Sequence, residues 1–163
     1  MLQSELIQCS KINTPFGKFT LHTNDVGVFK INLTNIFSES IEETNPISFS
    51  YIHKKVIKEI NEYFFGSRKK FNVPICLKVN PFYKLVLNEI RKIPYGKTKS
   101  YKDLAININH CKAYRAVGLA NKKNPLPIII PCHRVIKNNG DLGGYSGGKK
   151  LKKKLLELEV SSS

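Results

Sequence analysis

Apolar and polar positions alternate through the N-terminal third of the chain, and this period of two predicts strands. The alternation runs through Lys11-Ile12-Asn13, Phe19-Thr20-Leu21-His22 and Val26-Gly27-Val28-Phe29-Lys30-Ile31-Asn32-Leu33, with turn residues at Thr14-Pro15-Phe16-Gly17 and Asn24-Asp25. Together they predict an antiparallel meander. The polar, proline-containing stretch 36–50 reads as a loop. Ile52, Val56, Ile60, Tyr63 and Phe64 then recur at helical spacing, and Gly66 is placed to cap the helix they form.

The pattern changes over 66–80, where Gly66-Ser67-Arg68-Lys69-Lys70 leads through an extended apolar piece at Val73-Pro74-Ile75 to Asn80-Pro81. A domain boundary is expected there, dividing the chain into residues 1–78 and 79–163. Asn80 can cap, and Pro81 can open, a helix whose apolar face is Phe82, Val86, Ile90 and Ile93; Pro94-Tyr95-Gly96 ends it. Ser100-Tyr101-Lys102-Asp103 has the form of a capping box, with Asp where Glu or Gln is more usual. The short helix it opens, through Leu104 and Ile108, is followed by a second from Lys112 to about Asn121. This pair has the form of a helix-turn-helix. After Asn124-Pro125 an apolar run, Leu126 to Ile130, reads as buried and leads into Pro131-Cys132-His133-Arg134-Val135. Residues 138–148 hold too many glycines for a strand or helix and read as a loop that brings backbone close to something. Lys149–Glu159 is helical by spacing, with Leu151, Leu155 and Leu158 on one side, and Ser161-Ser162-Ser163 reads as a frayed tail.

Length and composition permit two small domains: 163 residues, 41% hydrophobic. No apolar run approaches the roughly 20 residues that cross a bilayer, and the N-terminal residues lack the basic start and apolar stretch of a signal peptide. A cytoplasmic, intracellular protein is the default expectation. The net charge of +15 is unevenly spread: residues 1–75 carry nine Lys/Arg and seven Asp/Glu, whereas 76–163 carry eighteen and five. Such asymmetry suits a polyanion held against the second domain, nucleic acid first and an anionic membrane surface second. Cys9, Cys76, Cys111 and Cys132 form no Cys-x-x-Cys pair, so reduced thiols in a reducing compartment are expected. His110 and Cys111 are neighbours without the spacing of a zinc site.

Cys132 beside His133, approached by a buried segment and followed by a glycine loop, supplies the parts of a nucleophile in a pocket. A packed thiol beside a surface histidine uses the same two residues, since free cysteine is commonly buried. In an extended chain the side chains of successive residues diverge, so a thiol–imidazole relay here calls for a bridging water or a turn of the backbone. A carboxylate behind the imidazole would hold its tautomer, and the last helix offers Glu157 and Glu159. Three functions remain open on these residues: a cysteine-based transfer reaction, a non-enzymatic helix-turn-helix DNA-binding protein with a structural or sensing cysteine, and a cysteine hydrolase.

Pro131-Cys132-His133-Arg134-Val135 resembles the active-site signature of the O6-alkylguanine-DNA alkyltransferases, the methylated-DNA–protein-cysteine methyltransferases. Three further blocks follow that family's order: Ser100-Tyr101-Lys102-Asp103-Leu104-Ala105; Arg115-Ala116-Val117-Gly118 with Asn124-Pro125; and Gly144-Tyr145-Ser146-Gly147-Gly148. The similarity covers roughly residues 80–160, and more loosely Pro15-Phe16-Gly17-Lys18. The resemblance implies an α+β (α/β) fold: a small N-terminal domain with antiparallel sheet and helix, ribonuclease H-like, and a mainly helical, winged-helix-like C-terminal domain carrying the helix-turn-helix. It implies a single-turnover DNA repair methyltransferase acting by base flipping on O6-alkylguanine, with O4-alkylthymine as a possible second substrate. Its partner would be double-stranded DNA, bound by a monomer without membrane or cofactor.

The resemblance also implies roles. Cys132 would be the nucleophile and alkyl acceptor, His133 the base acting through water, and Glu159 the carboxylate orienting His133, with Glu157 facing solvent. Tyr101 would give a proton to guanine N3. Arg115 would enter the duplex and fill the space of the extruded nucleotide. Ala113, Tyr114, Ala116 and Lys122 would meet DNA, Tyr114 being bulkier than its small neighbours, and Asn124 would tie the turn linking recognition helix to active site. Val135, Tyr145 and Ser146 would line the base pocket, with the carbonyls of Cys132 and Val135 reading the guanine amino group. Some members of the family carry zinc in the N-terminal domain; here Asn24 and Phe29 stand at ligand positions, so no metal is expected. Another branch has tryptophan in place of the cysteine and only binds lesions; Cys132 excludes it.

Overall fold

The computed structural model describes residues 6–33 and 43–162 and divides into two compact units, Met1–Lys78 and Val79–Ser163. In the first unit β1 (Gln8–Thr14), β2 (Gly17–Thr23) and β3 (Val28–Asn32) form an antiparallel sheet in that order, with Ile12 opposite Phe19 and Leu21 opposite Ile31. β3 starts at Val28, two residues later than the alternation predicts. The side chain of Asn24 explains the delay: its Oδ1 accepts from the backbone N–H of Val26 and of Gly27, at 3.1 and 3.0 Å, which holds both in the turn. A side chain at Gly27 would lie 2.6 Å from the carbonyl of Pro74, so glycine permits the 73–76 segment to run beside β3.

Helix α1 (Tyr51–Phe64) is capped by Ser50 and buries Val56, Ile60, Tyr63 and Phe64. Phe64 stacks edge-on against Phe16 and tilted against Phe19, joining helix and sheet in one core. The expected loop over 36–50 lies partly outside the described residues; within 43–50 a short 3-10 turn forms at Pro46–Ser48. A polar cluster is drawn into this core. His53 is fully buried, with Nδ1 at 2.7 Å from Thr23 Oγ1 and Nε2 at 2.9 Å from Ser10 Oγ.

The second unit contains α2 (Pro81–Ile90), α3 (Tyr101–Asn107), α4 (Tyr114–Lys122) and α5 (Lys149–Ser161), with a two-stranded parallel pair, β4 (Lys99–Ser100) and β5 (Val135–Ile136). Asn80 caps α2 and Ser100 with Asp103 completes the capping box of α3. Val86, Leu87, Ile90, Leu104, Ala105, Val117 and Ala120 are buried where α2, α3 and α4 meet. The second helix of the pair begins at Tyr114, not Lys112, because residues 110–113 close a tight turn, Ala113 N–H donating to the His110 carbonyl at 2.7 Å. Helix α5 extends through Ser161, past the expected start of fraying. Its buried positions are Leu151, Lys152, Leu155 and Glu159, while Leu158 is only half-buried. Among the described residues the chain is thus α+β, five α-helices with a small antiparallel sheet and one parallel pair.

Candidate active site

Cys132, His133 and Arg134 form a 3-10 turn, so the backbone turns at this pair instead of running extended. Pro131 starts it: φ −79° and ψ 63° make an inverse γ-turn, and the Cys132 N–H donates to the Ile130 carbonyl at 2.7 Å. The backbone therefore turns between the apolar approach and the Cys-His pair. The approach itself is held in an unusual conformation, Ile128 lying at φ +75°, a costly one for a β-branched residue. Buried Asn124 supports it, accepting from Leu126 N–H at 3.0 Å and donating to the Ile130 carbonyl at 2.8 Å.

All three side chains of the turn are buried, and two converge on Glu159 of α5. His133 Nε2 lies 2.7 Å from Glu159 Oε1, and Arg134 Nε is 2.9 Å from Oε2 and its Nη2 3.0 Å from Oε1. The N–H of Gly96 adds a bond to Oε2 at 3.0 Å, while Arg134 Nη1 donates to the Ile93 carbonyl at 2.7 Å. Burial alone would raise the carboxyl, but hydrogen bonds and charge from His133 and Arg134 outweigh it and hold Glu159 at about 2. It is an anion and can only accept, so the imidazole carries its proton on Nε2, and Nδ1 is the basic nitrogen. Desolvation also lowers His133 against the pull of Glu159, so the imidazole is neutral near pH 7. Glu157, the other sequence candidate, faces solvent.

Desolvation pushes the Cys132 thiol up to about 11, opposed by hydrogen bonding from Asn124 and Tyr145 and by the charge of Lys152. Only ~1 thiol in 10,000 would ionise unaided at pH 7. Lys152 was not anticipated from the sequence. Fully buried, it is lowered to about 8 by desolvation, and its ammonium donates to the carbonyls of Val135 (2.5 Å), Leu142 and Gly144. It thereby ties the strand after the Cys-His turn to the glycine loop. The one visible signal was spacing: Lys152, Leu155 and Glu159 stand at i, i+3 and i+7, two charges on an apolar stripe.

Tyr101 opens α3 directly after β4, and β5 directly follows Arg134, so the β4–β5 pairing sets Tyr101 against the Cys-His turn. Its half-buried hydroxyl is raised by desolvation and by the charge of Cys132, and meets Asn121. Asn121, also unanticipated, is buried on α4 with Nδ2 3.5 Å from the Cys132 carbonyl. A Cβ at Gly143, whose φ is +68°, would lie 3.2 Å from the Tyr101 hydroxyl, so the glycine loop fits closely around this ring. Tyr145 stands edge-on to His133 at 6.4 Å between ring centroids; Val135 is buried and Ser146 exposed.

The remaining sequence candidates lie on the outer face of α4. Tyr114, Arg115, Ala116 and Lys122 are exposed and Ala113 half-buried at the helix start. The Arg115 guanidinium lies 5.9 Å from the centre of the Tyr114 ring, so the bulky neighbour supports the arginine rather than displacing it. Among the described residues, no three His, Cys, Asp or Glu side chains are grouped to hold a metal ion, and no helix is long and apolar enough to cross a membrane.

A helix-turn-helix pair beside a buried, carboxylate-backed Cys-His turn in an α+β chain is the class of protein this architecture defines. The profile of the 6-O-methylguanine DNA methyltransferase DNA-binding domain matches residues 81–161. Among curated proteins, the methylated-DNA–protein-cysteine methyltransferase of Metallosphaera sedula is 41% identical over 96% of this chain and 95% of its own, and that of Methanosarcina acetivorans 37% over 91% and 95%. The crystal structure of Mycobacterium tuberculosis OGT in complex with DNA superimposes with a TM-score of 0.86 at 36% identity, over 96% of this chain and 94% of that one. The chain belongs to the methylated-DNA–protein-cysteine methyltransferase family.

Proposed function

We propose that the protein repairs DNA directly, moving the alkyl group of O6-alkylguanine in a duplex onto Cys132 in one irreversible turnover. The observation that carries this reading is the Cys132-His133 turn backed by Glu159 at 2.7 Å, on a chain related along most of its length to methylated-DNA–protein-cysteine methyltransferases. The thiol proton passes through a water to Nδ1 of His133, and Glu159 stabilises the imidazolium that results. The thiolate displaces guanine O6 from the alkyl carbon: an S–C bond forms, the O–C bond breaks, and the electron pair leaves with guanine. Tyr101 protonates N3 of the departing base, so that no guanine anion need be expelled, and the proton taken up by His133 returns to the Tyr101 phenolate. The sum is a thiol plus alkylguanine giving a thioether plus guanine, with no cofactor.

Reaction at a buried thiol requires the base to leave the stack, at a cost of a few kcal/mol. Arg115 offsets part of that cost by filling the vacated space. Helix α4 enters the minor groove, where Ala113 and Ala116 permit close approach and Tyr114 and Lys122 meet the backbone. Asn124 holds the link between this helix and the cysteine, and Val135, Tyr145 and Ser146 line the base pocket. The Val135 carbonyl has a second lone pair beside the bond from Lys152, which is available to the guanine amino group. Residues 1–78 are read as a structural, ribonuclease H-like domain and 79–163 as a winged-helix-like domain for DNA binding and transfer, in a cytoplasmic monomer.

The test is incubation with a duplex containing radiolabelled O6-methylguanine. Label should pass to the protein, one equivalent at most, and none to Cys132→Ala. Transfer retained by that variant would remove Cys132 as acceptor; duplex binding without any transfer by the wild type would favour a non-enzymatic DNA-binding protein.

A further inference from the structure

The first 75 residues carry only a small excess of positive charge, yet the fold gathers most of their basic groups in one place. Six of the nine Lys/Arg, namely Lys54, Lys55, Lys58, Arg68, Lys69 and Lys70, lie on α1 or in the segment just after it. Tyr51, Lys54, Lys55, Lys58 and Arg68 line a surface pocket of about 320 Å³ together with Glu59. The acidic groups nearby are largely committed. Buried Glu59 accepts from the Asn72 N–H at 2.8 Å and pairs with Arg68 at 3.4 Å, and Glu62 takes Arg68 Nε at 2.7 Å with Lys58 a distant 3.9 Å. No carboxylate among the described residues pairs with Lys54 or Lys55.

This arrangement opposes helix stability. Lys54 and Lys58 are like charges at i and i+4, and Lys54 sits in the first turns, where the helix carries partial positive charge and where no acidic residue compensates. An anion over the pocket would relieve both repulsions, and the exposed Tyr51 adds a hydroxyl donor at the rim.

We propose that this basic face of α1 is a second phosphate-binding surface, through which the N-terminal unit holds the backbone of duplex DNA without reading sequence. It rests on the reading of the protein as one that acts on DNA, and assigns a role to a unit otherwise read as structural. The groups are those of phosphate positioning: lysine ammonium groups and a tyrosine hydroxyl, with no arginine available to reach a base edge because Arg68 is occupied.

The experiment measures binding of an undamaged duplex across a series of salt concentrations, for the full-length wild type and for Lys54→Gln/Lys55→Gln/Lys58→Gln. Each phosphate that the variant no longer neutralises should reduce the slope of log affinity against log salt by ~0.9, so a fall of about 2 to 3 is expected, with affinity down at least tenfold at low salt. The variant should react with free O6-benzylguanine at the wild-type rate and melt at the same or a higher temperature in low salt. Lys54→Arg/Lys55→Arg/Lys58→Arg should keep the wild-type slope. A wild-type slope in the glutamine variant overturns the proposal and leaves the repair reading standing. So does an equal loss in Lys11→Gln/Lys18→Gln/Lys30→Gln, which would reduce the effect to net charge. Weakened binding to phosphatidylserine vesicles with an unchanged duplex slope would assign the face to a membrane instead. A wild type that binds no duplex at all would overturn both readings.

Discussion

His133 Nε2 stands 2.7 Å from Oε1 of Glu159, with both side chains fully buried, and the same carboxylate carries Arg134 on its other edge. One anion thus sets the tautomer of the imidazole and neutralises its arginine neighbour. In Glu159→Gln the amide can donate to Nε2, which moves the imidazole proton to Nδ1 and removes the basic lone pair. Alkyl transfer to the protein from free O6-benzylguanine should slow by roughly 10²- to 10⁴-fold. Arg134 would be left as an unpaired buried charge, at a cost of about 3 kcal/mol in urea unfolding. A rate within threefold of wild type would remove the orienting role.

The pH dependence separates an imidazole-assisted thiol from one that ionises alone. With Cys132 at about 11 and His133 below its usual 6.5, neutral thiol and neutral imidazole coexist around pH 7. The transfer rate should be nearly flat between about pH 7 and 7.8 and fall only well below that, as pH drops through the lowered imidazole pKa. Unassisted ionisation would raise the rate tenfold per pH unit through that range, and such a rise would sink the relay.

Lys152 places an ammonium among three carbonyls of the segments that enclose Cys132. Lys152→Met keeps the buried stem and removes the charge, which relieves the ammonium's desolvation while three carbonyls lose their donor, two effects that oppose each other. The expectation is a melting temperature within a few degrees of wild type, with transfer slowed at least tenfold on free benzylguanine and on duplex alike, because the pocket is common to both. Full activity in this variant would show that the three carbonyls hold the loop without it.

Much of the fold was legible because period and punctuation agreed. Asn80-Pro81, Ser100 with Asp103, and the alternation through β1 and β2 each name one element and one boundary. What escaped was set by turns or by residues distant in sequence. The late starts of β3 and α4 follow from hydrogen bonds of Asn24 and His110 that periodicity does not register. Cys132 and His133 were recognisable as a pair, but the turn that aims them depends on Pro131 and on Asn124 holding Ile130. Lys152 was hidden in a lysine-rich helix where burial rather than identity distinguishes it, and Asn121 looked like the end of a helix until α4 was packed against the cysteine turn.

His53 gives the N-terminal unit a measurable acid sensitivity. Desolvation, with a contribution from His22, lowers it to about 4, while the unfolded chain should titrate near 6.5. The unfolded state therefore binds the extra proton between those values. Stability from the neutral imidazole is complete above pH 6.5 and is lost as pH falls towards 4, by up to about 3 kcal/mol. His53→Gln keeps polar atoms for Ser10 and Thr23 and should flatten that part of the urea-midpoint profile, whatever its stability at pH 7. An unchanged slope between pH 6.5 and 4 would place the acid sensitivity elsewhere.

Arg115 and Tyr114 allow the proposed DNA handling to be tested apart from the chemistry. The guanidinium lies over the Tyr114 ring on the exposed face of α4, whereas the His133–Glu159 pair is fully buried, so removing the guanidinium should leave that pair intact. Arg115→Ala is expected to react with free O6-benzylguanine at close to the wild-type rate, since a free base needs no extrusion. On duplex O6-methylguanine it should lose about two orders of magnitude, corresponding to the few kcal/mol of unstacking that the side chain offsets. Placing the lesion opposite an abasic site, where extrusion is easier, should restore part of that loss. Equal losses on free base and duplex would mean that Arg115 supports the pocket itself and is not a residue that fills the gap.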